Sequence, residues 1–90
     1  MTRPRKSSGG EVLAKQAKRG RIEAQTDRER QRHTNANAGL LAKRLAAMAF
    51  SDPARRQLAL AGLASKQQEE NQRYRAKLAD LTRRARDAVR

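Results

Sequence analysis

From Ser51 onward the chain alternates apolar and polar positions four and three apart. Leu60, Ala64, Gln67, Asn71, Tyr74, Leu78, Leu81, Ala85 and Ala88 fall at the spacing of a heptad seam, so they share one side of a helix. The spacing predicts a single long helix over 53–90. Asp52 is placed to cap it, because a short side-chain oxygen accepts a free backbone N–H of the first turn. Pro53 follows at the first helical position, where its missing N–H costs nothing. Beyond Pro53 there is no further proline, and Gly62 is the only glycine. Glu69 with Arg73, Asp80 with Arg84 and Asp87 with Arg90 sit one turn or less apart as supporting charge pairs.

Within the seam, Ala64, Asn71, Leu78 and Ala85 take the a positions. Leu60, Gln67, Tyr74, Leu81 and Ala88 take the d positions. An asparagine at a fixes register and favours two strands at a cost in stability. The seam therefore predicts a coiled-coil homodimer through Leu60, Asn71, Tyr74, Leu78, Leu81 and Ala85. The alternative is that the same stripe packs on a neighbouring helix of its own chain, leaving the polar middle exposed.

The most apolar stretch lies upstream, LLAKRLAAMAF over 40–50. It predicts a short helix with Leu41, Leu45 and Met48 on one side. Ser51-Asp52-Pro53 then stops and restarts the chain. A helical hairpin follows, in which Leu41, Leu45, Met48 and Phe50 meet Leu58, Leu60 and Leu63 as the candidate core. A helix-turn-helix is disfavoured: the turn lacks glycine, Arg55 and Arg56 occupy the start of the second helix, and that helix is too long.

Thr34-Asn35-Ala36-Asn37-Ala38-Gly39 predicts a loop over 34–39, with Asn35 or Asn37 as a cap. His33, the only histidine, reads as structural or solvent-facing. Before the loop a basic helix is expected over 11–33, opened by the capping box Ser8-Gly9-Gly10-Glu11. Its apolar stripe, Val12, Leu13, Ala17 and Ile22, is thin, and Gly20 interrupts it. Residues 1–10 predict a flexible basic arm carrying Arg3, Arg5 and Lys6, with a linker-like Ser7-Ser8-Gly9-Gly10. The fold class is all-α.

Charge sharpens the functional picture. The chain has 90 residues, with 22 lysines and arginines against 9 acids, a formal net charge of +13. Such a surplus repels itself and calls for a polyanion. A GC-rich genome explains arginine in place of lysine but not the excess of basic over acidic residues. Few large apolar residues argue against a large independent core. There is no cysteine, which fits a cytosolic setting. No stretch approaches the ~18 apolar residues of a membrane span. The basic N-terminus has no apolar segment after it, unlike a secretory signal. No metal-ligand spacing, phosphate loop or nucleophile–base pair is present, so no cofactor, metal or catalytic residue is expected and the chain reads as a non-enzyme.

The first reading is a nucleic-acid-binding accessory protein of cytoplasmic, bacterial or viral setting. Arg3, Arg5, Lys6, Lys15, Lys18, Arg19, Arg21, Arg28, Arg30 and Arg32 would contact phosphates with little sequence selectivity, DNA being favoured weakly over RNA. Arg83, Arg84 and Arg86, far along the second helix, are expected to lie away from that surface. Arg19-Gly20-Arg21 resembles the core of an AT-hook, which implies minor-groove contact, but Ile22 stands where that family has proline; a glycine on a basic helix face is the reading taken. The second reading is a small structural or adaptor protein whose helices dock into a larger assembly such as a virus particle, a ribosome or a DNA-processing complex.

Overall fold

The structure is a computed structural model describing residues 6–88. Two helices make the fold: α1 over Lys6–Met48 and α2 over Pro53–Ala88. They are antiparallel, joined by the short turn 49–52, with no strand among the described residues. The hairpin is a slender rod, α1 alone spanning about 65 Å at 1.5 Å per residue.

The turn forms as its residues dictate. Ala49 and Phe50 close the end of α1 by donating to the carbonyls of Ala46 and Ala47, both at 3.1 Å. Asp52 then caps α2, its Oδ1 accepting from the Ala54 amide at 3.1 Å while its carbonyl accepts from Arg56 at 2.9 Å. The two arginines that open α2 brace the turn. Arg56 donates to the Phe50 carbonyl at 3.2 Å, and the Arg55 guanidinium lies over the Phe50 ring, 4.8 Å from its centre.

Three expectations change. The loop over 34–39 is absent, and α1 runs straight through it. The asparagines that would have bonded their own backbone bond side chains instead. Asn35 accepts from Gln31 one turn back at 3.0 Å, and Asn37 reaches both His33 and Gln67. The basic helix and the apolar helix are therefore one element. Helix also begins earlier than the Ser8 capping box, at Lys6, so residues 6–10 of the expected arm are helical. Arg3 and Arg5 lie outside the described residues.

The homodimer seam is the second change. Leu60, Asn71, Tyr74, Leu78, Leu81 and Ala85 are all buried or half-buried, and their stripe faces α1 of the same chain. A four-residue turn holds α1 at an effective concentration of order millimolar, which a free second copy does not match. Ala64 is exposed, and Leu63 takes the inward place beside Leu60. The matching stripe on α1 is Ile22, Thr26, Glu29, His33, Ala36, Leu40 and Ala47, again at fours, threes and sevens.

The core is the third. The buried described residues are Ile22, Ala47, Leu81 and Ala88. Leu81, Ile22 and Ala88 cluster at the open end, with Ala85 packed on them. Leu41, Leu45, Met48 and Leu58, expected inside, are 56%, 60%, 56% and 77% exposed. Leu41, Leu45 and Met48 do share a side of α1, but it is turned away from the Ile22–Ala47 stripe that meets α2.

Candidate nucleic-acid interface

Midway along the rod the seam turns polar, and the two helices are joined by a connected set of side chains. Arg32 of α1 donates through Nη1 and Nη2 to the two carboxylate oxygens of Glu70 on α2, at 3.0 and 2.8 Å. Its Nε also donates to Glu29 at 2.9 Å. The planar guanidinium fork suits this two-oxygen grip. Glu70 is 11% exposed and also meets His33 Nδ1 at 2.8 Å. Asn37 Nδ2 lies 3.0 Å from His33 Nε2. An amide nitrogen can only donate, so Nε2 accepts and the imidazole proton sits on Nδ1, facing Glu70. Gln67 Nε2 completes the chain by donating to Asn37 Oδ1 at 2.7 Å and to Asn71 Oδ1 at 3.0 Å. The His33 ring stacks on Tyr74, with centroids 3.8 Å apart and planes at 2°. No buried side-chain nitrogen or oxygen is left unpartnered among the described residues.

This layer gives His33, Gln67 and Asn71 a defined role. The register that unites Arg32 with Glu70 also unites Asn37 with Gln67. A slip of one heptad, ~10 Å along the axis, breaks all these bonds at once. The sequence signal was present: Thr26, Glu29, His33 and Ala36 continue the stripe of Ile22 at fours and threes, but the polarity of the first three hid it.

The Arg32 guanidinium, bonded to Glu70, and His33 beside it hold the Glu70 carboxyl down at about 2, against an ordinary 4.5. Arg32 lowers Glu29 as well, with Arg73 and Lys77 adding to it. A carboxyl whose folded-state value is depressed stabilises the fold in full above its ordinary value and loses that contribution as pH falls through the folded one. The thermal midpoint should therefore fall between pH 4.5 and about 2. In Glu70→Gln the fall over that window should be shallower in circular dichroism melts. An equal acid slope in both proteins would remove Glu70 as its source.

The basic residues sort by side of the rod. On α1, Lys18, Arg21, Arg28, Arg32 and Lys43 recur at threes, fours, sevens and elevens, spacings that return to one side of a helix. On α2, Arg55, Lys66, Arg73, Lys77 and Arg84 do the same. The two rows lie on a common side. Lys43 and Lys66 border the same groove with Phe50 and Leu58, and Arg73 and Lys77 border another with Glu29. Asp80 lies on this second groove too, held by Arg83 at 2.6 Å and Arg84 at 3.1 Å. Arg19 and Arg30 of α1, with Arg75 and Arg86 of α2, fall on the opposite side.

The candidate phosphate contacts thus divide. Lys18, Arg21 and Arg28 share the basic side and are exposed; Arg19 and Arg30 are exposed on the other side. Lys15 is exposed near the level of Ala88, and Lys6 belongs to α1. Arg32 is taken up by two carboxylates inside the hairpin. Arg83, Arg84 and Arg86 are not remote, because folding back brings their turn beside Ile22. Gly20 lies within α1 and Ile22 is buried, so Arg19-Gly20-Arg21 is a stretch of helix. No group of three metal-ligating side chains occurs among the described residues. Among them no helix is long and apolar enough to cross a membrane.

No protein-family model, curated protein or solved structure matches the chain.

Proposed function

We propose that the chain is a non-enzymatic nucleic-acid-binding protein that lays its basic side along a phosphate backbone. The observation that carries this reading is the gathering of basic side chains from both helices on one side: Lys18, Arg21, Arg28 and Lys43 from α1, with Lys66, Arg73, Lys77 and Arg84 from α2. A rod of this kind offers repeated charge along its length. The half-buried Tyr74, stacked on His33, is not available for base stacking. Contacts are then to phosphate, with little selectivity, and DNA is weakly preferred over RNA.

The test removes equal charge from the two sides. Each phosphate contact contributes about −0.9 to the slope of log affinity against log salt on duplex DNA. Arg21→Ala, Arg28→Ala and Arg73→Ala together should flatten that slope by up to ~3 units. Arg19→Ala, Arg30→Ala and Arg86→Ala should change it far less. Arg32→Ala should leave it unaltered. Equal losses from both triple variants would mean that total charge, and not this side of the rod, governs binding.

A further inference from the structure

The side opposite the basic rows changes character along its length. Toward the open end it carries Arg19, Arg30, Arg75 and Arg86. Toward the turn it is apolar: Leu41, Leu45 and Met48 are more than half exposed. Beside them runs an open groove of about 520 Å³, with Leu41 and Arg44 on one bank and Ala61 and Ala64 on the other. By helical spacing Arg44 is the only charge on this side between Arg30 and Met48 of α1 and between Pro53 and Arg75 of α2. Large apolar side chains lie here in the open while the hairpin's own core is small.

We propose that this turn-end side seats a second copy of the same chain, docked antiparallel so that the two hairpins overlap at their turns. Leu41, Leu45 and Met48 of each copy enter the groove of the other, making a local four-helix bundle. Charge limits where a second copy can dock and in which direction. A chain of net charge +13 can approach its own copy only where charge is sparse, and this is the sparse patch. Parallel docking would bring Arg19, Arg30, Arg75 and Arg86 against their equivalents. Antiparallel overlap sends those ends away from each other. The patch on both copies removes on the order of 1,000 Å² from water, the lower end for a specific interface, so affinity in the micromolar range is expected. The arrangement is two-fold and closed, so it stops at two copies. It is distinct from the Leu60–Ala85 seam, which lies inside each hairpin. Taken with the phosphate-binding reading, on which this consequence alone rests, the dimer presents its two basic sides outward and back to back. It would then bridge two duplexes.

The full chain, without nucleic acid, is taken through sedimentation equilibrium and small-angle X-ray scattering at rising concentration. The expected result is a monomer–dimer equilibrium whose dimer reaches about 110 Å, against about 65 Å for one hairpin, from an overlap of ~20 Å at 1.5 Å per residue. Leu41→Gln, Leu45→Gln and Met48→Gln together touch only exposed side chains, so helicity should be kept while the dimer is lost. A wild type that stays monomeric at hundreds of micromolar overturns the proposal, as does a dimer no longer than a single hairpin or one indifferent to the triple variant. Co-sedimentation of two differently labelled duplexes then reads the bridging. Wild type should bridge them and the triple variant should only bind. A protein that dimerises without binding DNA refutes the phosphate-binding reading and leaves the interface standing.

Discussion

Leu81→Ala should abolish the cooperative thermal transition of this protein. Leu81 is 1% exposed and is the only large side chain so completely enclosed among the described residues. Truncating a buried leucine removes its transfer free energy and leaves a void, together about 2–5 kcal/mol. A domain of this size commonly has only about 5–10 kcal/mol in total. Here the loss falls on a hairpin whose buried residues, among those described, are Ile22, Ala47, Leu81 and Ala88, and it removes the centre of the cluster that joins Ile22 to Ala88. Little else holds the open end. Circular dichroism at 37 °C should show much of the helical signal gone and a broad, shallow melt. Leu58→Ala is the matched control. Its side chain is 77% exposed, so its midpoint should move by no more than a few degrees. Equal damage from the two substitutions would mean that the inward stripe has been misplaced.

The second large effect is expected at Glu70. Replacing it with alanine frees one side of the Arg32 fork and leaves the His33 Nδ1 proton without its acceptor. An enclosed donor stripped of its partner costs more than the bond itself was worth. The thermal midpoint should drop by on the order of 10 °C. Glu70→Arg should cost more, since it sets a second cation against Arg32 and turns a donor toward His33. Arg32 retains Glu29 at 2.7 Å in either variant, which tempers the loss. A double-mutant cycle with Arg32→Ala isolates the pair. The second substitution made in the background of the first should cost less than half of what it costs alone. Full additivity would show the pair to be screened by solvent despite its geometry.

The helical class, the cap at Asp52, the proline start of α2 and the hairpin turn were legible because each is a local decision, made by a few neighbouring residues. The inward stripe of α2 was legible as well, since Leu60, Tyr74, Leu78, Leu81 and Ala85 announce themselves by apolarity and spacing. Its partner was not. A heptad pattern states that a face is covered without stating by what, and the stripe on α1 is written in Thr26, Glu29 and His33, whose types suggest solvent. Asn35 and Asn37 read as loop formers because their usual bonds are to backbone; only the placement of Gln31, His33 and Gln67 diverts them. Leu41, Leu45 and Met48 were read as core because they are the strongest apolar cluster in the chain. Their exposure follows from a register set elsewhere, by Arg32 with Glu70 and Ile22 with Leu81. The basic rows were hidden for a related reason. Each helix alone shows scattered cations, and only the pairing lays the two rows side by side.

A hairpin this thin has a mechanical character. Both helices leave the rod at the end opposite the turn, so tension applied through them peels α1 from α2 layer by layer instead of shearing the rod along its length. The Ile22–Leu81 layer opens first. The Arg32–Glu70 layer resists next, and beyond the Asn37–Gln67 bond the stretch before the turn is held by Leu40, Ala47, Ala59, Leu60 and Leu63. Rupture is then a sequence of small steps at low force, with a stall near mid-rod, and the turn gives the relaxed chain a point from which to close again.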